Sequence, residues 1–217
     1  MAIVDLTHTQ MLECIDCEGW IFEDELIPER DGDKHETITL RDDSQIFGVS
    51  GPYTDDLVNR LFTDYAVHDD DKRRIGIETF PLSTYTEDRS TEDYRKKILN
   101  RDRFMVSQII WETCLNMVEW GNKKDPSKSV RVLLFEGKRG KTLYLQDGGD
   151  GFDYEEAFRK AKAGERFTSR DGSYSGSTGL PYLYRVPFEV SYGGNGNILN
   201  LKVMNSSIEQ RWRPEGM

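Results

Sequence analysis

Residues 101–122 (RDRFMVSQIIWETCLNMVEWGN) carry apolar side chains at helical spacing so densely that the helix they form must be largely buried. Gly121-Asn122 and then Asp125-Pro126 end it. The next stretch is β-rich. Two runs, 129–136 (SVRVLLFE) and 141–146 (KTLYLQ), flank Gly137-Lys138-Arg139-Gly140, a hairpin signal. A second pair, 189–192 and 198–204, flanks Gly193-Gly194-Asn195-Gly196. A buried helix beside two hairpins is a helix laid on a sheet.

The remaining segments are shorter. Residues 19–25 (GWIFEDE) and 36–40 (ETITL) read as strands, with Asp31-Gly32-Asp33 turning between them. Residues 52–65 carry Leu57, Leu61 and Phe62 at helical spacing, with Thr54 or Asp55 able to cap. A charged break at 68–74 (HDDDKRR) marks the best boundary, and 75–82 reads as a further strand. Residues 154–162 read as a short helix, and 164–178 as a polar loop of small residues. The division expected is an acidic N-terminal extension or subdomain over 1–72 and a main domain over 73–217.

Charge sharpens that division. The chain of 217 residues has a net charge of −10, yet residues 1–72 hold 19 acidic and 5 basic side chains. So acidic a first third does not hold a phosphate backbone unaided, which argues against a nucleic-acid partner. It is read as a solvated face, or as a docking surface for a basic partner or for the chain's own basic residues Arg159, Lys160, Lys162, Arg166 and Arg170. No run approaches the roughly 18 apolar residues of a membrane span, and the first residues lack the pattern of a secretory signal. Three cysteines suit a reducing, cytoplasmic setting. Cys14-x2-Cys17 with His8 and His35 fits no common zinc spacing, and Cys114 reads as a small buried hydrophobe. The aromatics Trp111, Trp120, Phe135 and Tyr144 read as core.

Three patterns point to chemistry. Glu112 and Asn116, four apart, share one helix face with Met105 and Ile109. After the first hairpin, 147–153 (DGGDGFD) offers a leading carboxylate able to accept from an exocyclic amine. Its alternate glycines at 149 and 151 allow close backbone approach. Its acids stand at positions 1, 4 and 7, not the 1, 3, 5 of a calcium loop. Gly176-Ser177-Thr178-Gly179-Leu180 is a small-residue turn whose backbone N–H groups suit phosphate.

In this order, Glu112-x3-Asn116-x3-Trp120-Gly121, Asp147-x-Gly149-x-Gly151-Phe152 and Gly176-x2-Gly179-Leu180 resemble the N, G1 and G2 boxes of the GHKL (histidine-kinase-like) ATPases. They are most like the anti-sigma-factor serine/threonine kinases. The resemblance spans about 95–204, with Trp120 where the family often has His and Ser177 where it often has Gly. It implies an α+β fold of the Bergerat ATP-binding type, a two-layer sandwich of a mixed β-sheet with helices on one face. It implies ATP and Mg²⁺ as ligands, with Asn116 on the metal and Glu112 as general base. Asp147 would read the adenine amine while Gly149 and Gly151 make room for the base. Gly176, Thr178 and Gly179 would wrap the phosphates, with Arg170 a lid cation. The implied function is phosphoryl transfer from ATP to a serine or threonine of a small antagonist protein, by a kinase that also clasps a sigma factor and can form a homodimer. The alternative is a nucleotide-gated protein-binding switch without transfer. Transfer to histidine is disfavoured, because no acceptor His stands in a helical hairpin ahead of the helix.

Overall fold

The computed structural model describes residues 6–26, 45–46, 49–62, 92–123, 125, 127–163 and 188–207. The strand and turn expected at 31–40, the break at 68–74, the strand at 75–82 and the loop at 164–178 lie outside the described residues. In chain order the elements are α1 (His8–Ile15), β1 (Cys17–Leu26), the two-residue strands β2 (Gln45–Ile46) and β3 (Val49–Ser50), and α2 (Gly51–Leu61). Then come α3 (Glu92–Asn116), a π-helical turn (Met117–Gly121), β4 (Val130–Gly137), β5 (Gly140–Asp147), α4 (Tyr154–Ala163), β6 (Glu189–Gly193) and β7 (Ile198–Met204).

The fold is α+β. Five strands form one open sheet in the order β1-β4-β5-β7-β6, and every described pairing is antiparallel. The mixed sheet expected from the sequence is therefore not what the described strands make. β4–β5 and β6–β7 are joined by tight turns, which can connect only antiparallel neighbours.

Cross-strand register assigns the faces. Leu134, Leu143 and Leu201 line up across β4, β5 and β7, as do Val132, Leu145 and Leu199. All six are fully buried in one cluster with Leu57, Val58, Leu61 and Phe62 of α2 and Met105, Val106, Ile109, Ile110 and Cys114 of α3. Each such side chain contributes about 1.5–3 kcal/mol on leaving water. The other face carries Leu133, Tyr144 and Asn200 in line, and α1 covers part of it. His8 Nδ1 hydrogen-bonds Asn200 Oδ1 at 2.7 Å, and its ring sits 4.5 Å from Tyr144 and 5.1 Å from Phe135.

Helices thus lie on both faces, not one. α1 stays there because its exposed end carbonyls find partners. Arg139 N donates to Ile15 O and Lys138 N to Asp16 O, so the β4–β5 turn caps the helix. Residues before 72 extend the sheet through β1 and fill its core through α2. Among the described residues their charges do not reach α4. Asp16 pairs with Lys138 and Glu23 with Arg131, while Arg159 and Lys160 pair with Glu156 on their own helix.

Candidate functional site

α3 crosses the sheet and then leaves it. Met105 and Ile109 are buried, Glu112 on the same face is half-buried, and Asn116 one turn further is exposed. Periodicity alone reads this as one continuous stripe. In the fold its C-terminal end emerges at the rim, with Glu112 half-buried and Asn116 in solvent. Asn116 makes no side-chain hydrogen bond among the described residues.

Beyond Asn116 the helix widens by one residue. Asn122 N donates to Met117 O at 2.7 Å, an i to i−5 bond of the kind that rephases a helix. The wider turn buries Met117 and Val118 and leaves Trp120 55 % exposed, so Trp120 is not the core residue expected. It also sets Gly121 directly against the end of β5. A Cβ built on Gly121 would stand 2.5 Å from Asp147 Cγ, and one on Gly149 would stand 2.1 Å from Gly121 O.

Asp147 closes β5 on the helical side of the sheet and is 5 % exposed. Its Oδ1 accepts the Gly149 N–H at 2.7 Å, and no hydrogen bond reaches Oδ2 among the described residues. Burial pushes its carboxyl above the ordinary value, while the Gly149 N–H and the charge of Lys128 oppose that shift. Asn122, fully buried, ties the parts together. Its Oδ1 accepts Gly148 N–H at 2.8 Å and its Nδ2 donates to Ser129 O at 3.1 Å.

The β6–β7 turn locks the far side. Phe152 N donates to Asn195 O at 2.8 Å, and Asp147 N to Asn197 O at 3.0 Å. Gly151 holds φ at +79°, and a Cβ there would meet Asn195 O at 2.0 Å. The alternate glycines thus have a reason within the chain itself, the close approach of three backbone segments. Gly149→Ala is expected to lower the unfolding free energy by about 2–3 kcal/mol, because its new methyl meets backbone that cannot rotate away. Chemical denaturation reads this directly, and parent-like stability would refute the contact.

Glu112 and Asn116 lie on α3, Asp147 ends β5 and Gly149 and Gly151 lie in the turn after it; the helical end and this turn meet at Gly121, Asp147 and Gly149. Arg170, Gly176, Thr178 and Gly179 lie outside the described residues. A shallow depression of about 470 Å³ flanks the glycine turn, lined by residues 150–155 with Gly194 and Asn195. Gly151 belongs to its wall; Glu112, Asn116 and Asp147 do not. No group of three or more His, Cys, Asp or Glu able to hold a metal occurs among the described residues. A magnesium ion held mainly by phosphate and water would need only a neutral oxygen such as that of Asn116. Cys14 and Cys17 are free thiols, and burial pushes the Cys114 thiol up to about 12.

Sequence reasoning reads Asn122 and Asn195 only as end and turn signals and does not single out Asn197. Their role rests on contacts between segments far apart in the chain, although Gly-Asn and Asn-Gly pairs are visible turn signals. Compared with family models, curated proteins and solved structures, the chain matches none.

Proposed function

We propose that this protein binds Mg·ATP and transfers its γ-phosphoryl group to a serine or threonine of a partner protein, as a kinase of the anti-sigma, partner-switching kind. One observation carries the reading. A buried carboxylate, Asp147, holds one oxygen on Gly149 N–H and keeps the other unbonded among the described residues, where the helix bearing Glu112 and Asn116 meets a glycine turn. The unbonded oxygen is an acceptor for the exocyclic amine of adenine, and its burial favours that bond over competition from water. Asn116, exposed and without a side-chain partner among the described residues, offers its amide oxygen to the metal. Glu112, one turn back and half-buried, takes the proton of the acceptor hydroxyl. The metal, when bound, neutralises the phosphate charge that builds during transfer.

Calorimetric titration with ATP and ADP, with and without Mg²⁺, tests the binding half. Saturable binding strengthened by Mg²⁺ is expected. Asn116→Ala should weaken the Mg²⁺-dependent part about ten- to hundred-fold while leaving thermal stability unchanged, since Asn116 is exposed. An unchanged affinity for Mg·ATP would remove Asn116 from the site. Binding without transfer to any acceptor would leave the nucleotide-gated switch as the function.

A further inference from the structure

We infer that the outer edge of β1, unpaired among the described strands, is a docking strand for a basic, extended segment of a partner protein. β1 is the outermost strand of the sheet, paired only with β4 among the described strands. Two of the exposed large hydrophobics stand on it side by side, Trp20 at 65 % and Ile21 at 44 % exposure. The register slips between Trp20 and Phe22, a bulge that carries Ile21 outward, and then runs regularly from Phe22 to Leu26. The strand therefore offers an extended edge with an apolar anchor at one end, on which the Glu25 N–H is already given to Asp24 Oδ1 at 2.8 Å. That is the arrangement through which an added strand gains main-chain bonds from the edge and selectivity from side-chain contacts.

Charge selects the occupant. Exposed Glu18, Glu23 and Glu25 and half-buried Asp24 surround the two apolar residues. Arg131 pairs with Glu23 at 2.8 Å, and it is the cation that the structure sets beside this cluster from β4. A second copy of the chain would bring the same carboxylates against these, so pairing edge to edge between copies is opposed. A strand with Lys or Arg at alternate positions meets the acidic row and can lay a cation on the face of the Trp20 indole. This surface involves none of the residues of the nucleotide reading and does not depend on it.

The test uses the whole protein and an alternating Lys-Val decapeptide, followed by calorimetry and tryptophan fluorescence. Saturable binding is expected, with Trp20→Thr weakening it at least about ten-fold. Thr keeps strand propensity at an exposed position, and circular dichroism checks that the fold is retained. N-methylation of alternate peptide amides should abolish binding by removing the ladder donors, and a Glu-Val decapeptide should not bind. Lack of binding by the Lys-Val peptide would overturn the inference. So would binding that survives both Trp20→Thr and N-methylation, since that is only general attraction to an acidic protein. A concentration-dependent dimer in sedimentation that Trp20→Thr dissociates would overturn it in favour of a second copy.

Discussion

Glu112→Gln is expected to abolish phosphoryl transfer while sparing nucleotide affinity. The change removes one negative charge and the ability to take a proton, but keeps the length, shape and hydrogen-bonding reach of the side chain. Gln and Glu are comparably good in a helix, and Glu112 lies at the rim of the core, so α3 should keep its place on the sheet. A positioned general base is worth about a hundred- to ten-thousand-fold in rate. Label transferred from γ-labelled ATP to candidate antagonist proteins should fall by that factor. The calorimetric affinity for Mg·ATP should stay within about two-fold. Transfer at the parent rate would show that Glu112 is not the base. Equal losses of transfer and affinity would make it a binding residue instead.

The parts of the fold written in short-range signals were legible, and the parts made by distant contacts were not. Gly137-Lys138-Arg139-Gly140 marks its hairpin within four residues, and the strands it joins are Val130–Gly137 and Gly140–Asp147. α4 and the β6–β7 hairpin follow the same logic. α1 is a different case. Its capping box is in the sequence, with Thr7 Oγ1 accepting from Gln10 N and the Gln10 side chain accepting from Thr7 N. A short helix in an acidic, β-rich stretch is easily read as loop, and the partners of its last carbonyls, the Lys138 and Arg139 N–H groups, come from a turn more than a hundred residues away. Nothing local says that β1 pairs with a strand more than a hundred residues later.

At the site the same boundary holds. Spacing puts Glu112 and Asn116 on one face, but only the direction of α3 over the sheet decides that the face opens to solvent there. The π-helical turn has no periodic signature, since one inserted residue shifts the pattern for everything after it. That shift is why Trp120 points outward and Gly121 touches Asp147.

Asp147→Asn separates a ligand-reading carboxylate from a structural one. Asn can still accept the Gly149 N–H through its oxygen, so the turn after β5 keeps its internal bond. The other oxygen becomes an amide NH₂, a donor facing the donor of the adenine amine. Affinity for ATP should therefore fall about ten- to hundred-fold, the worth of a hydrogen bond to a buried charge. Inosine triphosphate, which lacks that amine, should bind the parent less well than ATP, and the variant should lose this preference.

Stability of the nucleotide-free protein should move the other way. Burial raises the carboxyl of Asp147 in the folded chain above its ordinary 3.8, so the folded state holds that proton more tightly than the unfolded state. Its contribution to stability is full below the ordinary carboxylate range and declines as pH rises through the raised folded value. The amide of the variant cannot ionise and carries no such decline, so Asp147→Asn should be at least as stable as the parent at neutral pH. Thermal melts across pH, with and without nucleotide, read both effects. A residue kept only for the fold would give the opposite pair, a destabilised variant with its nucleotide affinity intact. A carboxylate held in the interior at a cost to stability, and needed for affinity, is what a site for an amine-bearing base requires.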